Sequence, residues 1–176
     1  MQYRLRNLIM GILASFLWGC AGIQSPLATV SYVDLERFMG DWYVIASIPT
    51  FVEKGAHNAV EKYALNADGS IQTTFIFRKN SFDGERKEHN PTGYVLNTET
   101  NAEWGMQFIW PIKADYRIVY LADDYSKTII GRNDRDYVWI MARTPVIQEE
   151  QYAALRQMVD DMGYDLSKLL KVPQQW

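Results

Sequence analysis

The chain has 176 residues, 48% of them hydrophobic and 22% charged, which is the size and composition of one globular domain with one core. A formal net charge of -3, with no run of Lys and Arg interleaved with aromatics, excludes an electrostatic surface for nucleic acid. Aromatic side chains make up 14% of the chain, with six Trp and eleven Tyr, a bias toward pleated surfaces that large rings pack or line.

Residues 1–19 read as an export signal. Arg4 and Arg6 give a short cationic start, and the eleven uncharged residues from Leu8 to Trp18 fall short of the roughly 20 needed to span a bilayer as a helix. The single cysteine, Cys20, follows Leu17-Trp18-Gly19, and a lone thiol in an exported chain has no intramolecular disulfide to make. This stretch resembles the lipobox of bacterial lipoproteins, with Trp18 where a small residue is usual. The resemblance implies acylation of the Cys20 thiol, cleavage just before it and three acyl chains on the mature protein, more than stable anchoring requires. Ala21 in place of Asp implies sorting to the outer membrane, and the periplasmic face is the expected side. Residues 20–32 then form the lipidated cysteine and its tether, and 33–176 form the folded domain.

From residue 42 to 143 the sequence breaks into eight β-like runs separated by turn residues: Trp42 to Ile48, Asn58 to Leu65, Ser70 to Arg78, Lys87 to Leu96, Trp104 to Trp110, Asp115 to Ala122, Lys127 to Arg132 and Asp136 to Arg143. The connectors Asn66-Ala67-Asp68-Gly69, Ser81-Phe82-Asp83-Gly84, Asp123-Asp124-Tyr125-Ser126 and Asn133-Asp134-Arg135 carry turn chemistry. The expected fold is all-β, an eight-stranded antiparallel up-and-down barrel, whose interior at that strand number holds side chains and one small ligand.

Period-2 alternation assigns the lining. Ile71, Thr73, Phe75 and Phe77 share one face of their run, and Trp104, Met106, Phe108 and Trp110 share one face of theirs. In the last run Tyr137, Trp139 and Met141 oppose Val138, Ile140 and Ala142, so both faces are apolar and the outer one needs a cover. The cover follows directly. Tyr152, Leu155, Val159 and Met162 recur at helical spacing within Gln148 to Met162, with Glu149 and Glu150 in the first turn and Gly163 at the end, predicting an amphipathic α-helix packed outside the barrel.

Three motifs occur in order. Gly40-Asp41-Trp42-Tyr43 opens the first run, Asp124-Tyr125 sits in the turn after the sixth, and Trp139-Ile140-Met141-Ala142-Arg143 closes the last. Together they resemble the three motifs of the lipocalin family, in particular its bacterial outer-membrane lipoproteins, over about residues 33 to 172, with Asp123 where the family usually has Thr. The resemblance assigns Gly40, Trp42, Asp124, Tyr125 and Arg143 to structure: Trp42 plugs one end of the barrel and Arg143 lays its guanidinium across the indole.

The expected pocket is Phe75, Phe77, Trp104, Met106, Phe108, Trp139 and Met141, an apolar lining suited to a fatty acid or lysophospholipid. Lys54, Arg78, Lys79 and Lys113 are candidate head-group contacts, with exposed surface as the plainer assignment for each. Storage, transport and envelope maintenance are the roles that such binding serves, and the resemblance allows a homodimer. No nucleophile elbow, zinc-protease helix or phosphate loop is present, so no enzyme, metal or cofactor is expected. The alternatives are a lipocalin-fold enzyme, for which Cys20 is the only thiol, and haem binding through His57 or His89, both expected at the surface. An integral outer-membrane barrel is a further contrast, which the C-terminal helix and the non-alternating residues before Trp176 disfavour.

Overall fold

The computed structural model describes residues 25–176, so the export segment and Cys20 lie outside the described residues. A one-turn helix α1 (Leu35–Phe38), not anticipated from periodicity, comes first, and the Asp34 side chain caps it by accepting from the Arg37 N–H. The strands are β1 (Gly40–Ile48), β2 (Ala56–Leu65), β3 (Ile71–Lys79), β4 (Arg86–His89), β5 (Thr92–Val95), β6 (Glu103–Ile109), β7 (Ile112–Leu121), β8 (Lys127–Gly131) and β9 (Val138–Ala142). Neighbours pair antiparallel around the sheet, and β1 pairs with β9 to close it.

The run expected as one strand from Lys87 to Leu96 is broken into β4 and β5. Proline has no N–H for a ladder, and Asn90-Pro91 interrupts the pairing, although the Pro91 carbonyl still accepts from the Thr73 N–H at 3.1 Å. Both pieces pair with β3, so together they make one wall of an eight-stranded barrel. Short turns join the strands as expected. At the β2–β3 turn, Gly69 adopts φ 82 and the Asp68 carboxylate accepts from the Ser70 N–H, an arrangement that needs a residue free of a Cβ clash.

The two apolar faces of β9 meet two cores. Met141, with Trp139 at its edge, belongs to the cluster inside the barrel with Val44, Phe75 and Ile130. Val138, Ile140 and Ala142 face outward, where Tyr152, Leu155 and Val159 of helix α2 (Glu149–Asp161) cover them together with Ile45 and Ile129. Gly163 ends the helix at φ 87. A final short strand β10 (Leu170–Lys171) pairs with β1 at Ala46 and Ser47.

The barrel has two unlike poles. At one, α1 and the turns at 66–69, 96–102 and 122–126 gather; at the other stand the loop 49–55 and the turns at 80–85, 110–111 and 132–137. The N-terminal segment runs down the outer wall between them. The Ser25 carbonyl accepts from Arg135 and the Leu27 N–H donates to Asn133 at the second pole, while the Val33 N–H donates to Thr100 at the first.

Candidate functional site

The pole beneath α1 is sealed by side chains. The Arg143 guanidinium lies 3.8 Å from the centre of the Trp42 ring and donates to the carbonyls of Asp41, Arg37 and Phe38. Trp42 in turn donates from Nε1 to the Phe38 carbonyl at 2.8 Å. Gly40 has φ 94, and a Cβ there would meet the Arg143 guanidinium at 3.4 Å. Tyr125, also at positive φ, gives its hydroxyl to the Asp34 N–H as an acceptor and its ring to Arg37, while the Asp124 carboxylate accepts from the Ser126 N–H and holds the turn. These five residues thus lie in one closure, tied to α1 by backbone carbonyls rather than to the lumen.

Above the plug, Tyr63 and Tyr116 share a 2.7 Å hydroxyl–hydroxyl hydrogen bond that forms the floor of the lumen. Burial, with the Glu61 carboxyl beside them, pushes both phenols well above their ordinary value. The cavity over this floor has about 700 Å³ of space unfilled by protein atoms, a volume that takes in solvent at the open mouth. Phe75, Met106, Phe108, Ile130, Trp139 and Met141 supply its apolar walls.

Five of the seven expected pocket residues line that cavity: Phe75, Met106, Phe108, Trp139 and Met141. Two do not. Trp104 is fully buried beneath the floor, stacked on Tyr116 at 5.2 Å and edge-on to Phe38, because alternation assigns a face but not a depth. Phe77 packs on Phe75 and lines a side groove at the mouth with Phe51, Val52, Lys54 and Lys79. Trp110, counted with the same face as Trp104, is 82% exposed, since the β6–β7 register slips after Met106 and the chain turns at Pro111.

Of the proposed head-group cations, Lys54 and Lys79 meet in the side groove, where Lys79 donates to the Lys54 carbonyl. Arg78 donates outside to the Gly84 carbonyl and Lys113 lies over the Tyr94 ring. The histidines divide. His57 packs edge-on against Phe82 outside the lumen, whereas His89, expected at the surface, lines the cavity with its ring nearly parallel to Phe75 and Phe77.

Sequence reasoning missed the polar groups of the wall. Glu53, in the mouth loop, accepts from the Thr50 N–H at 2.7 Å and from Trp139 Nε1 at 3.3 Å, and burial pushes its carboxyl up against the pull of those bonds and of His89. Glu61 projects from mid-β2, and Arg132, paired with Asp136, leaves its Nε buried without a partner. No sequence signal singled them out: Glu61 is followed by Lys62 with charge on both strand faces, and Arg132 stands in a turn rich in charge.

Residues 33–174 match the lipocalin-like domain family. Temperature-induced lipocalin-1 of Arabidopsis thaliana is 33% identical over 160 residues, 86% of this chain and 84% of its own. Outer membrane lipoprotein Blc of Escherichia coli strain K12 is 28% identical over 176 residues, covering 97% of this chain and 98% of the relative. Among solved structures, insecticyanin from the tobacco hornworm Manduca sexta superposes with a TM-score of 0.66 at 15% identity, over 84% of each chain.

Proposed function

The chain belongs to the lipocalin family, and we propose that it holds one elongated apolar ligand, a fatty acid or lysophospholipid, with the tail inside the barrel. The observation that carries this is the lumen: a blind apolar cavity walled by Phe75, Met106, Ile130, Trp139 and Met141, sealed at one pole and open at the other. Each methylene taken out of water contributes about 0.8 kcal/mol before ordering and association costs, so an acyl chain alone suffices for binding of about micromolar strength. The anionic end of such a ligand would meet Arg132 at the lumen wall, or Lys54, Lys79 and Lys87 in the adjoining groove.

Polarity separates this barrel from one that spans a membrane, which is apolar outside and polar within. Here Lys62, Gln72 and Arg78 point outward from walls whose inner faces are mainly apolar. The membrane link in our reading is instead the lipid on Cys20, with the protein at the outer membrane, as the name of the Escherichia coli relative suggests, and facing the periplasm. Binding and carriage, rather than catalysis, are the proposed activity, serving storage, transport or envelope upkeep, as a monomer or a homodimer.

Trp139 makes the test direct, since it lines the lumen. Titrating the Cys20→Ala chain with octadecanoate and with a lysophospholipid should quench its tryptophan fluorescence, and Trp139→Phe should shrink the amplitude without abolishing binding by calorimetry. Absence of both quenching and heat for every lipid of the panel would overturn the proposal. His89 in the lumen supports a second reading, haem binding, which absence of a Soret shift on adding haem would end.

A further inference from the structure

Glu61 stands in the wall of the lumen on the inward face of β2, paired across the sheet with Phe75 and two residues above Tyr63 in the floor. Its Oε2 is out of contact with solvent and has no hydrogen-bond partner, although the cavity lies open beside the residue. The other titratable groups around it are Glu53 from the mouth loop, His89 from β4, Tyr63 from β2 and Asp115 and Tyr116 from β7. Arg132 and Tyr137 stand at the β8–β9 turn, and Arg143 lies below the floor. The charged ones are engaged elsewhere: Glu53 with Thr50 and Trp139, Asp115 with Arg117 and Asn133, Arg132 with Asp136, Arg143 with the plug. The two tyrosine hydroxyls bond to each other. No cation among the described residues neutralises Glu61, and a buried carboxylate without one is strongly disfavoured.

We propose that Glu61, as a neutral carboxyl, donates a hydrogen bond to an uncharged oxygen on the buried part of the ligand, so that the lumen selects acyl chains oxygenated mid-chain over plain ones. This rests on reading the lumen as a lipid site. Burial, with the neighbouring Glu53 adding to it, pushes the Glu61 carboxyl up to about 8, so it carries its proton at neutral pH. Depth sets which part of the chain it meets. From Ala56 at the mouth, five residues along β2 span about 16 Å, or about 12 Å of depth once the usual strand tilt is included. A carboxylate at the mouth therefore lies well above Glu61, and the middle of an eighteen-carbon chain lies level with it. A ketone is the discriminating probe, because it only accepts and so needs the proton on Glu61, whereas a hydroxyl can bond to either form.

The test compares octadecanoate with 12-oxo-octadecanoate by fluorescence titration of the Cys20→Ala chain at pH 7 and pH 9.5. The oxo acid should bind about three- to tenfold more tightly at pH 7, the value of one net hydrogen bond, and this preference should vanish at pH 9.5. Glu61→Leu should abolish the preference at both pH values, and Glu61→Gln, which keeps an N–H donor, should retain it at both. Equal affinity of the unsubstituted chain for the two acids at pH 7 overturns the proposal and leaves lipid binding standing. So does a preference that survives in Glu61→Leu, or one that is unchanged at pH 9.5, an arm that needs no variant at that site. Failure of both acids to bind overturns this proposal together with the lipid reading.

Discussion

Arg143 meets the face of Trp42 and four backbone carbonyls at once, a combination that depends on a planar fork of donors. Arg143→Lys keeps the charge but loses the stack and most of the fork, so it should cost about 1–3 kcal/mol, read as a lower denaturant midpoint at unchanged slope. Lipid affinity should stay within about twofold, because the pair lies below the floor. Glu61 gives the opposite sign. The folded chain keeps its proton up to about 8 while the unfolded chain releases it near 4.5, so the stability linked to this group is complete below 4.5 and is lost as pH rises to about 8. The slope over that window approaches about 1.4 kcal/mol per pH unit for a single proton. Glu61→Gln should flatten it and raise the midpoint most at pH 8 and above, as thermal unfolding across pH 5 to 9 would show. The two residues also differ in how legible they were. Arg143 belongs to an ordered set of motifs, whereas Val60-Glu61-Lys62-Tyr63 puts charge on both faces of a strand and hides which one is inside.

Among the elements, α2 is the cover that the doubly apolar last strand required, and its removal from that face is costly. Leu155 is 2% exposed against the outer cluster, so Leu155→Ala should cost about 2–5 kcal/mol in urea unfolding while leaving the lumen, on the other side of the sheet, able to bind lipid. A cost near zero would mean that the helix rests on the barrel without supporting it. Turn residues and alternation located every barrel strand and this helix. Several features escaped them, three for distinct reasons. Helix α1 is a single turn, too short to show a period; the proline at 91 splits a strand without changing the pattern around it; and the slip in β6 after Met106 turns Trp110 outward although its parity matches that of Met106. Alternation is also blind to height along the barrel, which is why Trp104 fell in the plug and Phe77 beside the mouth.

For the whole molecule, the decisive asymmetry is between a sealed pole and an open one, and the N-terminal segment connects them along the outer wall. Its described start, Ser25, is held by Arg135 in the turn at 132–137, and Arg132 and Tyr137 of that turn border the mouth. With a lipid on Cys20, five residue steps would separate the anchor from Ser25, a reach of at most about 17 Å. Such a leash would hold the barrel mouth-down, with the lumen opening toward the bilayer rather than away from it. A ligand could then pass between membrane and lumen by sliding, with its tail never crossing water. If Cys20 carries the lipid, inserting a Gly-Ser repeat after Gly22 should slow loading of the lipidated chain from labelled vesicles several-fold, while binding to the Cys20→Ala chain stays the same.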